Sequence, residues 1–242
     1  MGACSYSTVL IGSGNVASHL GLALEQAGHW VVRVGGHSRT MPIPQDADLY
    51  VIAVTDSAIA TVAEQIGDVP GLVVHTAGSV PMSVLPQRCR GVLYPLQTFT
   101  KGRPVDMRSV PLFVESEGGE ELLLEVANQL SDRVIRMESE RRRYLHLAAV
   151  FCNNFTNHMF RITEELLSQH DIPFDVMLPI IDETARKVHS LTPAQAQTGP
   201  AVRWNQGVME AQMALLERED LKQLYQIISK SIHHDKLRSQ QD

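Results

Sequence analysis

Apolar, often β-branched runs alternate with stretches of helical periodicity over the first 136 residues. Such runs predict buried strands, whereas helices repeat their apolar positions every three or four residues. The predicted strands are residues 8–11, 30–34, 48–54, 72–75, 91–94, 110–115 and 133–136, and the predicted helices are residues 18–25, 57–66 and 120–130. We expect the strand at 110–115 to lie at a sheet edge, because Pro111 cannot donate to a ladder. The alternation predicts an α/β fold with a doubly wound sheet.

The pattern changes near Met137. Residues 140–170 contain no proline and repeat apolar side chains at helical spacing, which predicts one long helix. Further helices are predicted at residues 174–189, 207–217 and 221–232, and the polar tail from His233 is expected to fray. We therefore predict an α/β domain over residues 1–138 and an all-α domain over residues 139–242.

The turn after the first strand carries a G-x-G-x-x-A motif between a strand and a helix, which is the context of a Rossmann dinucleotide-binding fingerprint. Glycine permits the tight turn and a close approach of the pyrophosphate, and the helix N-terminus attracts its charge. A structural turn without a ligand is the alternative. The residues expected to bind the cofactor here are Gly12, Ser13, Gly14, Asn15, Val16 and Ala17.

The loop after the second strand bears on the choice of cofactor. An NAD site usually has an acidic residue there, but this chain has none between Glu25 and Asp46. It offers Ser38 and Arg39, a hydroxyl and a guanidinium that suit a 2′-phosphate. We therefore favour NADP over NAD, with Arg39 as an ordinary solvated residue being the alternative.

Polar residues follow the next three strands, at the sheet edge where doubly wound proteins bind ligands. Val54, Thr55, Thr76 and Ser79 are expected to contact the cofactor, and Gln97 is a candidate substrate contact. Helix capping and turn formation are the alternative roles for such residues.

The predicted long helix contains a cluster of polar residues that is unusual for a helix interior. Asn153, Asn154 and Asn157 lie within five positions, although asparagine is a poor helix former. These amides suit either the orientation of a substrate or contacts between helices. The charge run at residues 140–143 is predicted to be a solvated face. In the turn-rich segment 191–203, Arg203 is a candidate anchor for an anionic substrate or a partner in a surface salt bridge.

Composition restricts the possible functions further. The chain has 242 residues, 44% hydrophobic residues and a net charge of −6, which argues against a nucleic-acid partner. Its three cysteines are too few and too scattered for a disulfide framework or a C-x-x-C site, and we expect no metal. No apolar run is long enough to span a membrane and no secretory signal is evident. We expect a cytoplasmic protein.

Several motifs together resemble known proteins. Residues 12–17, 53–56 and 151–154 resemble the 6-phosphogluconate dehydrogenase-like superfamily. Residues 75–79, 94–99 and 198–203 are similar to a family with a Rossmann-like domain and a DUF2520 C-terminal domain, labelled as NADP oxidoreductases. The resemblance implies a Rossmann domain, a helical domain that forms a homodimer, and hydride transfer to a small carbonyl or imine.

One position departs from that pattern. In β-hydroxyacid dehydrogenases a catalytic lysine lies four residues before the second asparagine, where this chain has Val150; Asn154 matches the asparagine. The nearest proton donor is His146, one helical turn before Val150. We predict that His146 is the general acid or base. The predicted function is an NADP-dependent oxidoreductase of a small oxo acid, hydroxy acid or imine. The alternatives are a non-catalytic NADP(H)-binding sensor or assembly protein, and a structural dimer without cofactor.

Overall fold

The computed structural model describes residues 4–35 and 42–238. Contacts divide the chain into two compact units, Met1–Met159 and Phe160–Asp242. The domain boundary at residues 138 and 139 stays a prediction. The last strand ends at Arg136 and the next helix begins at Ser139, yet that helix belongs to the first unit. The difference arises because Arg142 of this helix is buried against the sheet unit, as described below.

The strands and helices of the first unit alternate as the apolar pattern predicts. Its strands are β1 (Ser7–Ile11), β2 (Trp30–Val34), β3 (Leu49–Ile52), β4 (Leu72–His75), β5 (Arg90–Pro95), β6 (Leu112–Glu117) and β7 (Val134–Arg136). Its helices up to β7 are α1 (Asn15–Gln26), α2 (Ile59–Ile66) and α3 (Glu120–Leu130), with short 3₁₀ turns at Asp56–Ala58, Met82–Val84 and Met107–Ser109.

One sheet contains all seven of these strands, in the order β2-β1-β3-β4-β5-β6-β7. All neighbours are parallel except β5 and β6, which are antiparallel. The expectation of an edge strand at residues 110–115 is wrong, because β6 pairs with a strand on each side. Pro111 lies just before β6, so the N–H group that it lacks is not needed as a donor in the ladder.

Helices cover both faces of the sheet. One cluster of buried side chains joins α1 and α3 to one face, through residues such as Leu20 and Val126. A second cluster joins α2 to the other face, through Ile59 and Ile66. Strands β3 and β4 are buried along their whole length. These layers confirm the Rossmann doubly wound α/β fold, followed by an all-α region.

The remaining elements are helical. They are α4 (Ser139–Ala149), a π-helical turn (Val150–Phe155), α5 (Thr156–Ser168), α6 (Leu178–Lys187), α7 (Pro193–Ala196), α8 (Gln206–Ala214) and α9 (Glu219–Arg238), with a 3₁₀ turn at Phe174–Met177. The predicted long helix therefore contains a wide turn in its middle. The expectation of fraying from His233 is wrong up to Arg238, where α9 ends.

Candidate functional site

The turn between β1 and α1 fits tightly between its neighbours. Gly12 has a φ of +137°, and a Cβ there would lie 2.1 Å from the carbonyl oxygen of Ala53. Its backbone N–H donates to the oxygen of Val34 over 2.9 Å. Gly12 is therefore required both by its backbone conformation and by the close approach of the residue that follows β3.

The second glycine of the motif faces open space. A Cβ on Gly14 would meet nothing within 4 Å of the described residues, and its φ of −76° suits any residue. Among the described residues no side chain caps the N-terminus of α1, and its first turn contains no acidic residue. Ser13 and Asn15 are exposed, Val16 is half-buried, and Ala17 is buried where α1 packs against the core. The free N–H groups and the helix dipole can therefore hold an anion that approaches over Gly14.

The other residues predicted to contact the cofactor differ in their surroundings. Ser38 and Arg39 lie outside the described residues. Val54 is half-buried and Thr55 is exposed, both directly after β3. Thr76 is buried, and its hydroxyl donates to the oxygen of Ile52 over 3.4 Å, so it joins two strand ends.

Ser79 and Gln97 each take part in a local contact. The hydroxyl of Ser79 donates to the carboxylate of Asp56, which joins the loop after β4 to the loop after β3. The side chain of Gln97 is exposed, and its oxygen accepts the backbone N–H of Thr98 over 2.8 Å. Ser79 therefore lies at the same sheet edge as the glycine turn, together with Asp56, which the sequence places at this edge but to which no contact was assigned.

A tyrosine and a histidine meet at this edge. The hydroxyl of Tyr94, near the end of β5, lies 3.1 Å from Nδ1 of His146 on α4. Tyr94 is 8% exposed, and burial raises the pKa of its phenol. Sequence reasoning singled out His146 and included Tyr94 in a family motif, but it assigned Tyr94 no role, because its partner lies 52 positions away along the chain.

A buried arginine lies one helical turn before His146. Arg142 is 0% exposed, so the prediction of a solvated face at residues 140–143 is wrong for this residue. Its Nη1 donates to a carboxylate oxygen of Glu115 over 2.5 Å, and its Nη2 donates to the oxygen of Val80 over 2.7 Å. Ser139 also donates to Glu115, over 2.6 Å. These contacts place a carboxylate against the buried charge and attach α4 to β6 and to the loop after β4. Nε of Arg142 is buried without a hydrogen-bond partner among the described residues.

The buried His75, the last residue of β4, is affected by the same arginine. Burial, together with the positive charge of Arg142, lowers its pKa to about 4. Its Nδ1 accepts the backbone N–H of Ala77 over 3.2 Å. His75 is therefore neutral near pH 7 and serves to shape the loop that carries Thr76 and Ser79.

The two asparagines lie in the π-helical turn. Asn153 and Asn154 are exposed, and neither side-chain amide hydrogen-bonds another described residue. π-Helical turns often occur at functional sites. Within the described part of the first unit, the two amides are therefore available to a ligand or a second chain.

Arg203 is the last of the residues predicted to contact the substrate, and no metal site was predicted. Arg203 is exposed in the helical unit and pairs with no carboxylate among residues 4–35 and 42–238, so the expected surface salt bridge is not formed there. The same residues contain no group of three or more His, Cys, Asp or Glu that could hold a metal. None of the helices described is both long and apolar enough to cross a membrane.

Comparison with known proteins now identifies the family. The family described as "Domain of unknown function (DUF2520)" matches residues 110–232. A putative NADP oxidoreductase from Bacteroides fragilis is 40% identical, with a TM-score of 0.86 over 95% of this chain and 98% of that chain. This chain belongs to the DUF2520 family. No curated protein matches it.

More distant structures share the fold of this DUF2520 protein. A protein from Thermotoga maritima is 17% identical, with a TM-score of 0.74 over 97% of this chain and 100% of that chain. A 1-pyrroline-5-carboxylate reductase from Streptococcus pyogenes is 14% identical, with a TM-score of 0.61 over 96% of this chain and 98% of its own. At such identities the likeness concerns the fold alone.

Proposed function

We propose that this protein is an NADP-dependent oxidoreductase that acts on a small oxo acid, hydroxy acid or imine. The observation that carries the proposal is the turn at Gly12–Ala17, which leaves an open, uncapped helix N-terminus at the carboxyl edge of the sheet. A group able to transfer a proton, His146, lies at the same edge. The relative that is 40% identical and named a putative NADP oxidoreductase supports the same function.

The residues at this edge fit a dinucleotide. The open space over Gly14 would admit the pyrophosphate, and the N–H groups of α1 would bind its oxygens. Ser38 and Arg39 would bind a 2′-phosphate, which is our reason for NADP rather than NAD. Residues after the third and fourth strands would border the nicotinamide half of the cofactor, namely Val54, Thr55, Thr76 and Ser79.

The chemistry divides between the cofactor and the protein. The bound nicotinamide would supply or accept a hydride. His146 would transfer the accompanying proton, and Asn154 with Asn153 would hydrogen-bond the reacting carbonyl or imine. Gln97 and Arg203 are proposed as further substrate contacts, Arg203 for an anionic end.

The cofactor proposal predicts a specific effect of filling the space over Gly14. Gly14→Ala is expected to weaken NADPH binding by about tenfold or more, because its Cβ lies where the pyrophosphate would approach. The backbone there accepts alanine, so thermal stability without ligand should change little. Isothermal titration of both variants with NADPH and NADH measures the effect and the preference between the two cofactors.

Gly207→Ala is the matched control, since a Cβ there also meets nothing within 4 Å. This control should bind NADPH like the parent protein. Equal binding by Gly14→Ala and the parent would contradict the site. Absence of binding to the parent protein would favour the structural dimer without cofactor.

We also propose a homodimer that forms through the C-terminal helices. Four large apolar side chains are exposed at spacings of three and four along α4 and the π-helical turn: Tyr144, Leu147, Phe151 and Phe155. An apolar stripe of this kind is typical of an interface. Phe151→Glu is expected to convert the dimer to a monomer in light scattering, whereas Leu22→Glu, which alters an exposed leucine on α1, should leave it dimeric. A monomeric parent protein would overturn the proposal.

A further inference from the structure

We propose that Tyr94 is a positioning residue whose hydroxyl oxygen accepts the Nδ1–H of His146 and thereby leaves Nε2 as the atom that transfers the proton. The role in turnover rests on the proposed function. The tyrosine–histidine pairing itself rests only on the contacts within residues 4–35 and 42–159.

The position of the Tyr94 hydroxyl is fixed by the sheet. Tyr94 pairs in register with Phe113 of the antiparallel neighbour β6, and the centroids of their two rings lie 6.3 Å apart. On its other side, β5 pairs with β4 only at residues 90–92, so at Tyr94 itself the ladder partner is β6. A side chain that projects from a paired strand of the sheet is a rigid point of attachment for the imidazole.

Gly78 makes room for this pair. A Cβ at this position would lie 2.6 Å from Nδ1 of His146 and 2.7 Å from Cζ of Tyr94. Gly78 does not have the positive φ that would require glycine for its backbone conformation. The absence of a side chain is therefore explained by the space that the Tyr94–His146 contact occupies.

The two nitrogens of His146 have different surroundings. Nδ1 faces the Tyr94 hydroxyl over 3.1 Å, with the two rings edge to face at 72°. Nε2 has no hydrogen-bond partner among the described residues. It is also not a fully buried atom. Nε2 is therefore the nitrogen that a substrate can reach.

A hydroxyl acceptor suits both charge states of the imidazole. An imidazolium carries a proton on each nitrogen, so only an acceptor can face Nδ1 in that form. Burial raises the pKa of Tyr94, which keeps the phenol neutral and able to rotate its own proton away. The oxygen of Tyr94 can thus keep the Nδ1–H bond before and after proton transfer.

The proton balance in the reducing direction follows from this arrangement. The imidazolium gives its Nε2 proton to the oxygen or nitrogen of the substrate, whose carbon has gained the hydride. The Nε2–H bond breaks, an O–H or N–H bond forms, and the imidazole is left neutral with its Nδ1–H on Tyr94. Solvent returns a proton to Nε2. In the oxidising direction Nε2 takes the proton instead.

The first test reads the imidazole directly and needs no activity. Nitrogen NMR of the ¹⁵N-histidine-labelled protein, with His146→Gln to identify the signal, should show neutral His146 protonated at Nδ1. Tyr94→Phe removes only the hydroxyl, and should shift the population toward the Nε2–H tautomer. Tyr6→Phe is the matched control, because the Tyr6 hydroxyl donates to Glu125 and not to His146. An unchanged His146 signal in Tyr94→Phe, or an Nε2–H tautomer in the parent, would overturn the proposal.

The second test concerns catalysis. Tyr94→Phe should lower kcat by about tenfold, because the hydrogen bond that fixes the tautomer of His146 is lost, with KM for NADPH unchanged. A rise in the KM for NADPH with kcat unchanged would contradict the positioning role. If the parent protein turns nothing over, the proposed function fails, whereas the NMR result still decides the pairing.

Gly78→Ala provides a second variant should Tyr94→Phe fold poorly. It keeps both polar groups but forces them apart, so it should change the His146 signal in the same direction as Tyr94→Phe. Gly207→Ala, where a Cβ meets nothing, should leave the signal unchanged. A parent-like signal in Gly78→Ala would contradict the close contact.

Discussion

Replacing His146 with alanine is expected to lower kcat by about 10²- to 10⁴-fold, the usual contribution of a positioned general acid or base. NADPH affinity should stay at the parent value, since His146 is proposed to transfer a proton and not to bind the dinucleotide. Steady-state kinetics with a panel of small oxo acids and imines, together with titration of NADPH, separate the two effects.

His170→Ala is the control for this experiment. His170 is exposed in the turn after α5 and has no proposed role, so its loss should leave kcat unchanged. Parent-like turnover in His146→Ala would remove His146 from the mechanism. Tight NADPH binding without turnover in the parent would instead favour the non-catalytic sensor.

Glu115→Gln is expected to lower the free energy of unfolding by about 3–5 kcal/mol, because it leaves the charge of Arg142 buried without its counter-charge. The substitution preserves the shape of the side chain, so packing changes little. Urea denaturation followed by circular dichroism at pH 7 measures the loss. Adding Arg142→Met to Glu115→Gln should recover part of it, since the unpaired charge is then gone.

The matched control is Glu120→Gln. Glu120 pairs with Arg136 over 3.0 Å, but both side chains are more than half exposed, at 57% and 67%. Exposed pairs contribute about 0–1 kcal/mol, so this control should be close to the parent. Equal losses in the two variants would show that burial of Arg142 does not govern the strength of its ion pair.

The alternation of strands and helices was predictable because its cause is local. Residues 72–75 and 120–130 have the predicted bounds in the structure, since an apolar run and a 3.6-residue period are visible in the sequence itself. Strand order was not predictable in the same way. Pro111 indicated an edge, but hydrogen-bond partners in a sheet come from distant parts of the chain, and the ladder starts only at Leu112.

The candidate site was predictable only in part, for a related reason. The motif at residues 12–17 combines its signals within six positions, whereas Arg142 and Tyr94 depend on partners far away in sequence. Nothing in the charge run at residues 140–143 marks Arg142 as the partner of Glu115, 27 positions earlier. A usable signal for Tyr94 was Gly78, a glycine followed by a serine in a strand-end loop where no turn demands it.

The wide turn at Val150–Phe155 also affects how this helix is aligned with other proteins. In an α-helix the residue one turn before Asn154 is Val150, but a π-helical turn advances by five residues and brings Ala149 to that position. An alignment without a gap therefore compares side chains that point about 100° apart. Neither residue is a lysine, so the missing lysine is not an artefact of the spacing. Relatives that differ by one inserted residue here will differ in the direction of their asparagines, and with it in what those amides can reach.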